Sequence, residues 1–317
     1  MANSPRHASI EPPDVLVLGG GGILGEAWMN ALLAGLEESS GYDARNCACF
    51  IGTSAGSIVA SALAGGVRPR VRLGDIAERP AAAQADVGES QSGVRRAVEA
   101  LAELGSVAAA PLASLALTST AAGGAALRRL ALARIPRGRR SLAELGRMVE
   151  RLGVQWDGRL QLAAVELESG RRVMLGAPGA PELSVSEAVQ ASCAIPGVFR
   201  PVSAGGSTYV DGGVWSPTNM DAAQVTRGSR VLCLNPTGSM RPTLRVPAGA
   251  IGAVSRSLAA AESLALSRRG AKVTTVNPDP ASLRAMGTNL LDPRRRADVI
   301  GAGLAQGRQL AQAFAVA

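Results

Sequence analysis

The chain has 317 residues, of which 47% are hydrophobic, and 33 basic residues against 25 acidic ones give a formal net charge of +8. This length is enough for one large α/β domain or two smaller ones, each with a substantial buried core. Aromatic residues make up only 3%, and no basic stripe interleaved with aromatic residues occurs, which argues against nucleic-acid binding. No uncharged apolar segment reaches the roughly 18 residues of a membrane-spanning helix.

Arginine carries nearly all of the positive charge, because Lys272 is the only lysine. Two interpretations stay open. One is the codon bias of a GC-rich genome, and the other is attraction to an anionic membrane surface or substrate. The first residues lack the charged and apolar regions of a signal peptide. We therefore expect a cytoplasmic protein, with peripheral contact to the inner face of the membrane as a weaker expectation.

The four cysteines have apolar, strand-like neighbours, which predicts buried free thiols rather than disulfides. The sequence contains no C-x-x-C pair, no histidine cluster and no H-E-x-x-H motif. We therefore expect neither a structural nor a catalytic metal, and no other cofactor.

Two strand–turn–helix units are predicted near the start of the chain. The apolar run Val15–Leu18 predicts a strand buried on both faces, the four glycines at 19–22 form a turn, and apolar residues recur at helical spacing over 23–38. The second unit is a strand over 47–51 and a helix over 57–63, joined by another glycine-containing turn. This alternation indicates a parallel α/β sheet.

The amino-acid composition changes between residues 66 and 138, where the chain is rich in Ala, Ser and Arg and contains several prolines. Apolar residues at helical spacing over 94–104 and 127–135 predict a helical insertion that covers the carboxyl edge of the sheet. We expect this insertion to belong to a single domain over 14–317, preceded by a disordered tail at 1–13. A mobile lid or a membrane-docking surface is the alternative, since apolar faces flanked by arginines suit a membrane interface.

The remaining elements complete the predicted α/β fold. They are a hairpin at 160–166 and 172–175, a helix at 185–193, strands at 208–210 and 231–234, a helix at 248–269, a strand at 272–276 and a closing helix at 294–314.

A G-x-S-x-G pentapeptide at 52–56 follows the second predicted strand and places Ser54 at its centre. This motif is the signature of a nucleophile elbow, whose strained turn tolerates little side-chain volume at Gly52 and Gly56. Such a serine normally passes its proton to a histidine. The only histidine is His7, in the polar N-terminal tail, so a carboxylate must be the base if Ser54 is a nucleophile.

The glycines at 19–22 expose backbone amides with no Cβ to block approach, which makes a natural anion cradle. In an acyl hydrolase this loop would supply the oxyanion hole. Gly21 and Gly22 are the best-placed donors, and Ala55 adds its amide at the start of the helix after Ser54.

The same loop also matches the dinucleotide fingerprint G-x-G-x-x-G at Gly20, Gly22 and Gly25. That alternative needs an acidic residue at the end of the next strand. The next strand runs instead into Thr53 and Ser54, which favours the hydrolase interpretation.

Asp211 follows the strand predicted at 208–210 and precedes Gly212 and Gly213. Alone it would be an ordinary turn aspartate. Without a triad histidine it is the best candidate base, provided that burial raises its pKa from an ordinary value near ~3.9.

Together these motifs resemble the patatin-like phospholipase family. The matching segments are the glycine loop at 20–25, the elbow at 52–56, the block at 191–196 and 199–201, and Asp211 with Gly212. The resemblance implies a three-layer α/β/α sandwich with a mainly parallel central sheet and a Ser54–Asp211 dyad. It also implies cleavage of fatty acyl esters in phospholipids, lysophospholipids or related lipids without a metal. Leu24 departs from the family pattern, which usually has Arg or Lys there.

Two rival functions stay open. One is a non-catalytic lipid- or protein-binding member of the same fold, and the other is an acyltransferase that uses the same acyl-enzyme. The expected partner is a lipid acyl ester substrate, and the sequence makes no prediction about oligomeric state.

Overall fold

A computed structural model describes residues 13–74, 124–240 and 248–312 of the chain. Within these residues, eight strands form one mixed sheet in the order β5-β6-β3-β2-β1-β7-β8, with β4 also paired to β3. The strands are β1 (Val15–Leu18), β2 (Cys49–Thr53), β3 (Leu160–Glu166), β4 (Arg172–Leu175), β5 (Val202–Ala204), β6 (Ser207–Asp211), β7 (Arg230–Leu234) and β8 (Lys272–Val276).

Five neighbouring strands, from β3 through β2, β1 and β7 to β8, run parallel to one another. The strands β4, β5 and β6 add an antiparallel portion beside β3. Every residue of β1 is buried, as expected of a strand that helices cover on both faces. The prediction of an α/β fold with a mainly parallel sheet is confirmed.

Helices pack on both faces of this sheet. They are α1 (Gly22–Ser40), α2 (Ala55–Ala64), α3 (Pro69–Leu73), α4 (Gly124–Arg134), α5 (Ala143–Arg151), α6 (Val185–Ser192), α7 (Ala248–Arg268), α8 (Pro280–Met286) and α9 (Arg296–Ala311).

The side chains of β1 alternate between two cores. Leu16 and Leu18 belong to the larger core, which includes residues of α1, α2 and α6. Val15 and Val17 belong to a second core, which includes Leu266 of α7. Since successive side chains of a strand point to opposite faces, the two cores lie on opposite sides of the sheet. The chain therefore forms the three-layer α/β/α sandwich that the resemblance implies.

Close packing against α9 fixes α1, whose first residue forms part of the glycine loop. A Cβ added at Gly35 would lie 2.3 Å from the carbonyl oxygen of Leu304, and one added at Gly307 would lie 2.1 Å from that of Leu32. Only glycine allows the two backbones to approach so closely. The contact between α1 and α9 therefore fixes the position of α1, and with it the glycine loop at the amino end of that helix.

The described parts of the predicted insertion at 66–138 are α3 and α4. Leu132 of α4 packs against Val210 of β6 and against β3, next to the strand end that carries Asp211. The predicted helix at 94–104 lies outside the described residues, as does nearly all of the predicted tail. The division into tail, domain and insertion stays a prediction.

Two boundaries near the elbow differ from their predictions by two residues. The strand predicted at 47–51 is observed at Cys49–Thr53, because its parallel pairing continues until Thr53 lies opposite Ala163 of β3. The following helix starts at Ala55 rather than at residue 57. Strand and helix therefore meet with only Ser54 between them.

Candidate active site at the end of β2

Two strand ends meet on one edge of β3. β2 pairs with β3 in parallel up to Ala163, and β6 pairs with it in antiparallel orientation from Ala164 onward. β4 pairs with the same stretch of β3, so it occupies the opposite edge. Because β2 ends at Thr53 and β6 ends at Asp211, their carboxyl ends face each other. The residue after Thr53 is Ser54, so the topology brings the predicted nucleophile next to the predicted base.

Ser54 has a backbone conformation that serine rarely adopts, with φ 51° and ψ −120°. Its amide donates a hydrogen bond to Ser192 Oγ at 3.0 Å, and its carbonyl accepts one from Ser57 Oγ at 2.6 Å. Both partner side chains are fully buried. A strained backbone of this kind persists only where its surroundings fix it, and it is typical of a nucleophile elbow.

The two glycines of the pentapeptide are required by close contacts. A Cβ added at Gly56 would lie 1.9 Å from the carbonyl oxygen of Leu18 at the end of β1. One added at Gly52 would lie 2.7 Å from Ser57 Cα. The G-x-S-x-G pattern therefore reflects how tightly the turn between β2 and α2 packs on the sheet.

Asp211 is buried at the end of β6, with 2% of its surface exposed. The amide of Gly213 donates a hydrogen bond to its Oδ1 at 2.7 Å. Burial raises the pKa of Asp211 to about 7, although hydrogen bonds from the Gly213 amide and the Ser54 side chain favour the charged form. Gly212 allows the chain to turn away, since a Cβ there would lie 2.3 Å from the Ala163 oxygen. The carboxylate is thus far more basic than an ordinary aspartate.

The glycine loop presents backbone amides beside Ser54. A Cβ added at Gly20 would lie 3.5 Å from Ser54 Cβ, while the Gly20 amide itself donates to a backbone carbonyl at 2.8 Å. The amides of Gly21, Gly22 and Ala55 find no acceptor within the part of the chain that the structure describes. α1 and α2 start at Gly22 and Ala55, so the positive ends of two helix dipoles lie at this point. The arrangement suits a developing negative charge.

Contacts with Pro236 explain two further glycines of the loop. A Cβ added at Gly21 or Gly25 would lie 2.6 Å or 3.1 Å from Pro236 Cβ. Gly22 has a positive φ of 60°, which disfavours any side chain there. The loop conformation that exposes the amides therefore depends on glycine.

Leu24 points into the core and is fully buried. Its amide donates to the carbonyl oxygen of Leu290 at 3.0 Å. Residue 24, where the family pattern usually has Arg or Lys, is therefore part of the core in this chain and does not line the cavity at Ser54.

Two cavities meet at Ser54. One is lined by the glycine loop, Ser54 and Asp211, together with Leu290 and Leu291. The other is a mainly apolar cleft that runs from Ser54 past Ile58 between α1, α2 and α5. The combination of a polar reaction centre and an apolar cleft suits an ester with a hydrocarbon chain.

Sequence reasoning missed two residues that hold the site together. Ser192 Oγ accepts a hydrogen bond from the Ser54 amide. In the sequence, Ser192 was marked only as part of the segment at 191–196 that carries the family resemblance. Asn219 Nδ2 donates to Thr53 Oγ1 at 3.1 Å and to the Gly212 oxygen at 3.3 Å, which ties the elbow to the loop after Asp211. No sequence signal marks Asn219, because its role depends on contacts between distant segments.

Within residues 13–74, 124–240 and 248–312, no group of three or more His, Cys, Asp or Glu side chains is placed to hold a metal ion. All four cysteines are free, as predicted, and three of them are buried. None of the helices described here is both long and apolar enough to span a bilayer.

The sequence model of a protein family described as patatin-like phospholipase matches residues 16–223. This span contains the glycine loop, the elbow and Asp211. The chain belongs to the patatin-like phospholipase family.

Solved structures of two bacterial proteins are similar to this patatin-like chain. VipD from Legionella pneumophila is 17% identical with a TM-score of 0.41, over 96% of this chain and 67% of VipD. The type III effector ExoU is 16% identical with a TM-score of 0.42, over 96% of this chain and 53% of ExoU. In the ExoU–SpcU complex from Pseudomonas aeruginosa, the match is 21% identical with a TM-score of 0.33, over 95% of this chain and 53% of the other. The chain thus spans about half the length of ExoU. No curated protein matches the sequence.

Proposed function

We propose that this patatin-like protein is a serine acyl hydrolase that cleaves fatty acyl esters of phospholipids, lysophospholipids or related lipids through an acyl-enzyme on Ser54. Family membership supports a lipid hydrolase activity. The observation that carries the finer assignment is that Ser54, the buried Asp211 and the glycine loop line one cavity, beside backbone amides that have no acceptor among the described residues.

In the first step, Asp211 accepts the hydroxyl proton of Ser54 while Ser54 Oγ attacks the ester carbonyl carbon. A base works best when its pKa lies near the working pH, and burial brings the pKa of Asp211 to about 7. The strained elbow holds the hydroxyl toward the cavity, so little further ordering is needed at the moment of attack.

The tetrahedral intermediate places a negative charge on the former carbonyl oxygen. The amides of Gly21, Gly22 and Ala55 are the donors available to it, because they have no acceptor of their own among the described residues. Loss of one such donor typically costs about 3–4 kcal/mol of transition-state stabilisation.

The alcohol or lysolipid then leaves with the proton held by Asp211, and the acyl group stays on Ser54. In the second half-reaction, Asp211 takes a proton from water, the resulting hydroxide attacks the acyl carbon, and the proton returns to Ser54 Oγ. Every step is assigned to a side chain or backbone amide of this chain, so the proposal involves no cofactor.

Contact with an anionic membrane surface is the proposed way in which the lipid reaches this site. Leu127 and Leu130 of α4 are 48% and 49% exposed, and they lie three residues apart on one helix face. Arg129 and Arg134 of the same helix and Arg137 just after it are also exposed. Apolar side chains flanked by arginines favour insertion at a headgroup boundary.

The test of the proposed function is fatty acid release from phospholipid and lysophospholipid vesicles. We expect release by the wild-type protein, none by Ser54→Ala or Asp211→Asn, and normal release by the controls Ser203→Ala and Asp298→Asn, whose side chains are exposed. Circular dichroism checks that each variant is folded. Equal release by wild type and the Ser54 variant would refute the proposal.

The two rival functions are separated in the same assay. An acyltransferase would pass the acyl group to an added acceptor alcohol, so that the acylated alcohol replaces free fatty acid as the product. A non-catalytic binder would release neither product.

A further inference from the structure

A short segment at residues 216–220, called the linking segment below, connects the separate parts of the candidate site. The Pro217 carbonyl accepts a hydrogen bond from the Gly20 amide of the glycine loop at 2.8 Å. The Thr218 carbonyl accepts one from Thr53 Oγ1, at the end of β2, at 3.3 Å. Consecutive carbonyl groups of the linking segment therefore hold both the glycine loop and the elbow.

Asn219 connects the linking segment to the third part of the site. Its Nδ2 donates a hydrogen bond to the carbonyl of Gly212, the residue after Asp211, at 3.3 Å. Asn219 is fully buried and has a left-handed backbone, with φ 51° and ψ 28°. A residue with a side chain keeps this conformation only where neighbouring contacts fix it. The geometry of the linking segment thus depends on what holds Asn219 in place.

The carboxyl group of Glu262 on α7 contacts the linking segment on both sides of Asn219. Glu262 Oε2 accepts a hydrogen bond from Thr218 Oγ1 at 2.5 Å and one from the Met220 amide at 2.9 Å. Both partner residues are fully buried, and Glu262 is only 8% exposed. Because the residues before and after Asn219 bind the same oxygen atom, its backbone cannot relax without breaking one of the two bonds.

Packing alone does not explain a glutamate at this position. Glu262 lies on α7 between Ala259 and Leu266, which both belong to the second core. Burial raises the pKa of the Glu262 carboxyl, since its charged form loses contact with water. An apolar side chain would suit such a position better if packing were its only role. The two hydrogen bonds to the linking segment are what distinguishes glutamate here.

We propose that Glu262 is a positioning residue for the reaction at Ser54. Its carboxyl group fixes the linking segment and, through that segment, the glycine loop, the elbow and the turn after Asp211. This inference rests on the proposed function. Loss of the Glu262 acceptor would leave the Thr218 hydroxyl and the Met220 amide unpaired and would allow the linking segment to relax. A shift of about 1 Å between the parts of a site can lower a rate by about 10²-fold.

The test measures how fast a fluorophosphonate probe labels Ser54, because this probe reacts with activated serines. The time course gives an amplitude, which reports the reactive fraction of the protein, and a first-order rate constant, which reports the reactivity of Ser54. Each variant is labelled at a temperature at which circular dichroism shows it to be folded. A role in stability alone would leave the rate constant unchanged. We expect Glu262→Met to lower it about tenfold or more.

Two further variants separate the hydrogen bonds from packing. Glu262→Gln retains an oxygen that can accept both bonds, so its rate constant should stay within about threefold of wild type. Leu266→Ala is the matched control, since Leu266 is fully buried on the same helix. Its truncation destabilises the core but removes no hydrogen bond, so the rate constant should equal that of wild type.

Thr218→Val tests the same bond from the other side and carries the test if Glu262→Met does not fold. It should lower the rate constant about threefold or more, and the double variant should be no slower than Glu262→Met, because both changes break one shared bond. A wild-type rate constant in Glu262→Met or Thr218→Val would overturn the inference alone. So would a Glu262→Gln variant as slow as Glu262→Met, an equal loss in Leu266→Ala, or effects that multiply in the double variant. Absence of label on Ser54 of the wild-type protein would instead refute the proposed function on which the inference rests.

Discussion

Ser54 and Asp211 are 157 positions apart in the chain, yet they follow or end strands that pair with consecutive residues of β3, Ala163 and Ala164. One of these strands runs parallel to β3 and the other antiparallel. That change of direction within the sheet turns two distant carboxyl ends toward each other. The position of the serine beside the carboxylate is therefore a property of the sheet topology.

Activity should depend on pH through Asp211, because only its ionised form can accept a proton. Burial raises the pKa of Asp211 to about 7, so kcat/KM should rise with pH up to that value and level off above it. At about pH 5 we expect roughly a hundredfold lower kcat/KM than on the plateau. The profile is measured with a p-nitrophenyl ester. His7→Ala should leave the midpoint unchanged, and a midpoint that moves with His7 would contradict the assignment.

Asp211→Asn should stabilise the folded protein at neutral pH while it removes activity. The folded pKa of about 7 lies above the unfolded value near ~3.9, so the native state retains a proton that the unfolded state loses. The contribution of Asp211 to the free energy of unfolding of the wild-type protein is therefore fully present below about pH 4. It is lost as the pH rises through about 7.

The measurement is urea unfolding of wild type and Asp211→Asn at about pH 5 and about pH 8. The free energy of unfolding of the variant should exceed that of wild type by more at about pH 8 than at about pH 5, and this increase should be a few kcal/mol at most. Asp298→Asn, whose carboxyl is exposed, should show no such growth. An advantage that stays constant with pH would show that Asp211 is not a carboxyl with a raised pKa.

Gly22→Ala should disrupt the glycine loop that we propose as the oxyanion hole. The new Cβ would meet Leu291 Cδ2 at 2.8 Å and the Leu290 oxygen at 2.9 Å, so the backbone that carries the amide must shift. We expect kcat to fall about 10²-fold or more, the usual effect of losing one oxyanion donor. Gly41→Ala is the matched control, since Gly41 has a similar φ of 70° but no neighbour within 4 Å of the added Cβ. Equal loss in both variants would mean that backbone strain alone explains the effect.

Replacing Leu127 and Leu130 by serine should weaken binding to anionic vesicles at low salt. The change removes apolar area from the exposed face of α4 but keeps its arginines. Hydrolysis of a water-soluble ester should stay at the wild-type rate. Leu264→Ser is the control, because Leu264 is 51% exposed on α7. Unchanged co-sedimentation of the double variant would contradict the proposed docking surface.

Much of the fold could be predicted from local patterns. The apolar run Val15–Leu18 and the strand Lys272–Val276 are observed with their predicted bounds. Short elements escaped prediction where their sequence lacks a clear period. Pro69–Leu73 and Val202–Ala204 are examples, since both depend on packing against neighbouring elements.

The candidate site could be predicted where its residues are contiguous in the sequence, as in the glycine loop and the elbow. What the sequence could not predict is the network that fixes these parts. Ser192 and Asn219 act on Ser54 and Thr53 across more than a hundred residues of chain. The buried pairing of Glu26 with Arg72 spans only 46 residues, but it could not be predicted either, because each residue alone suggests a charged surface position.

The central claim, that Ser54 is a nucleophile activated by Asp211, is tested most directly by a fluorophosphonate probe, which forms a covalent bond with an activated serine. Mass spectrometry of the digested protein should find the label on the peptide that contains Ser54. Labelling should be much slower in Asp211→Asn and unchanged in Asp298→Asn. A wild-type protein that stays unlabelled at Ser54, or an Asp211→Asn variant labelled at the wild-type rate, would contradict the account.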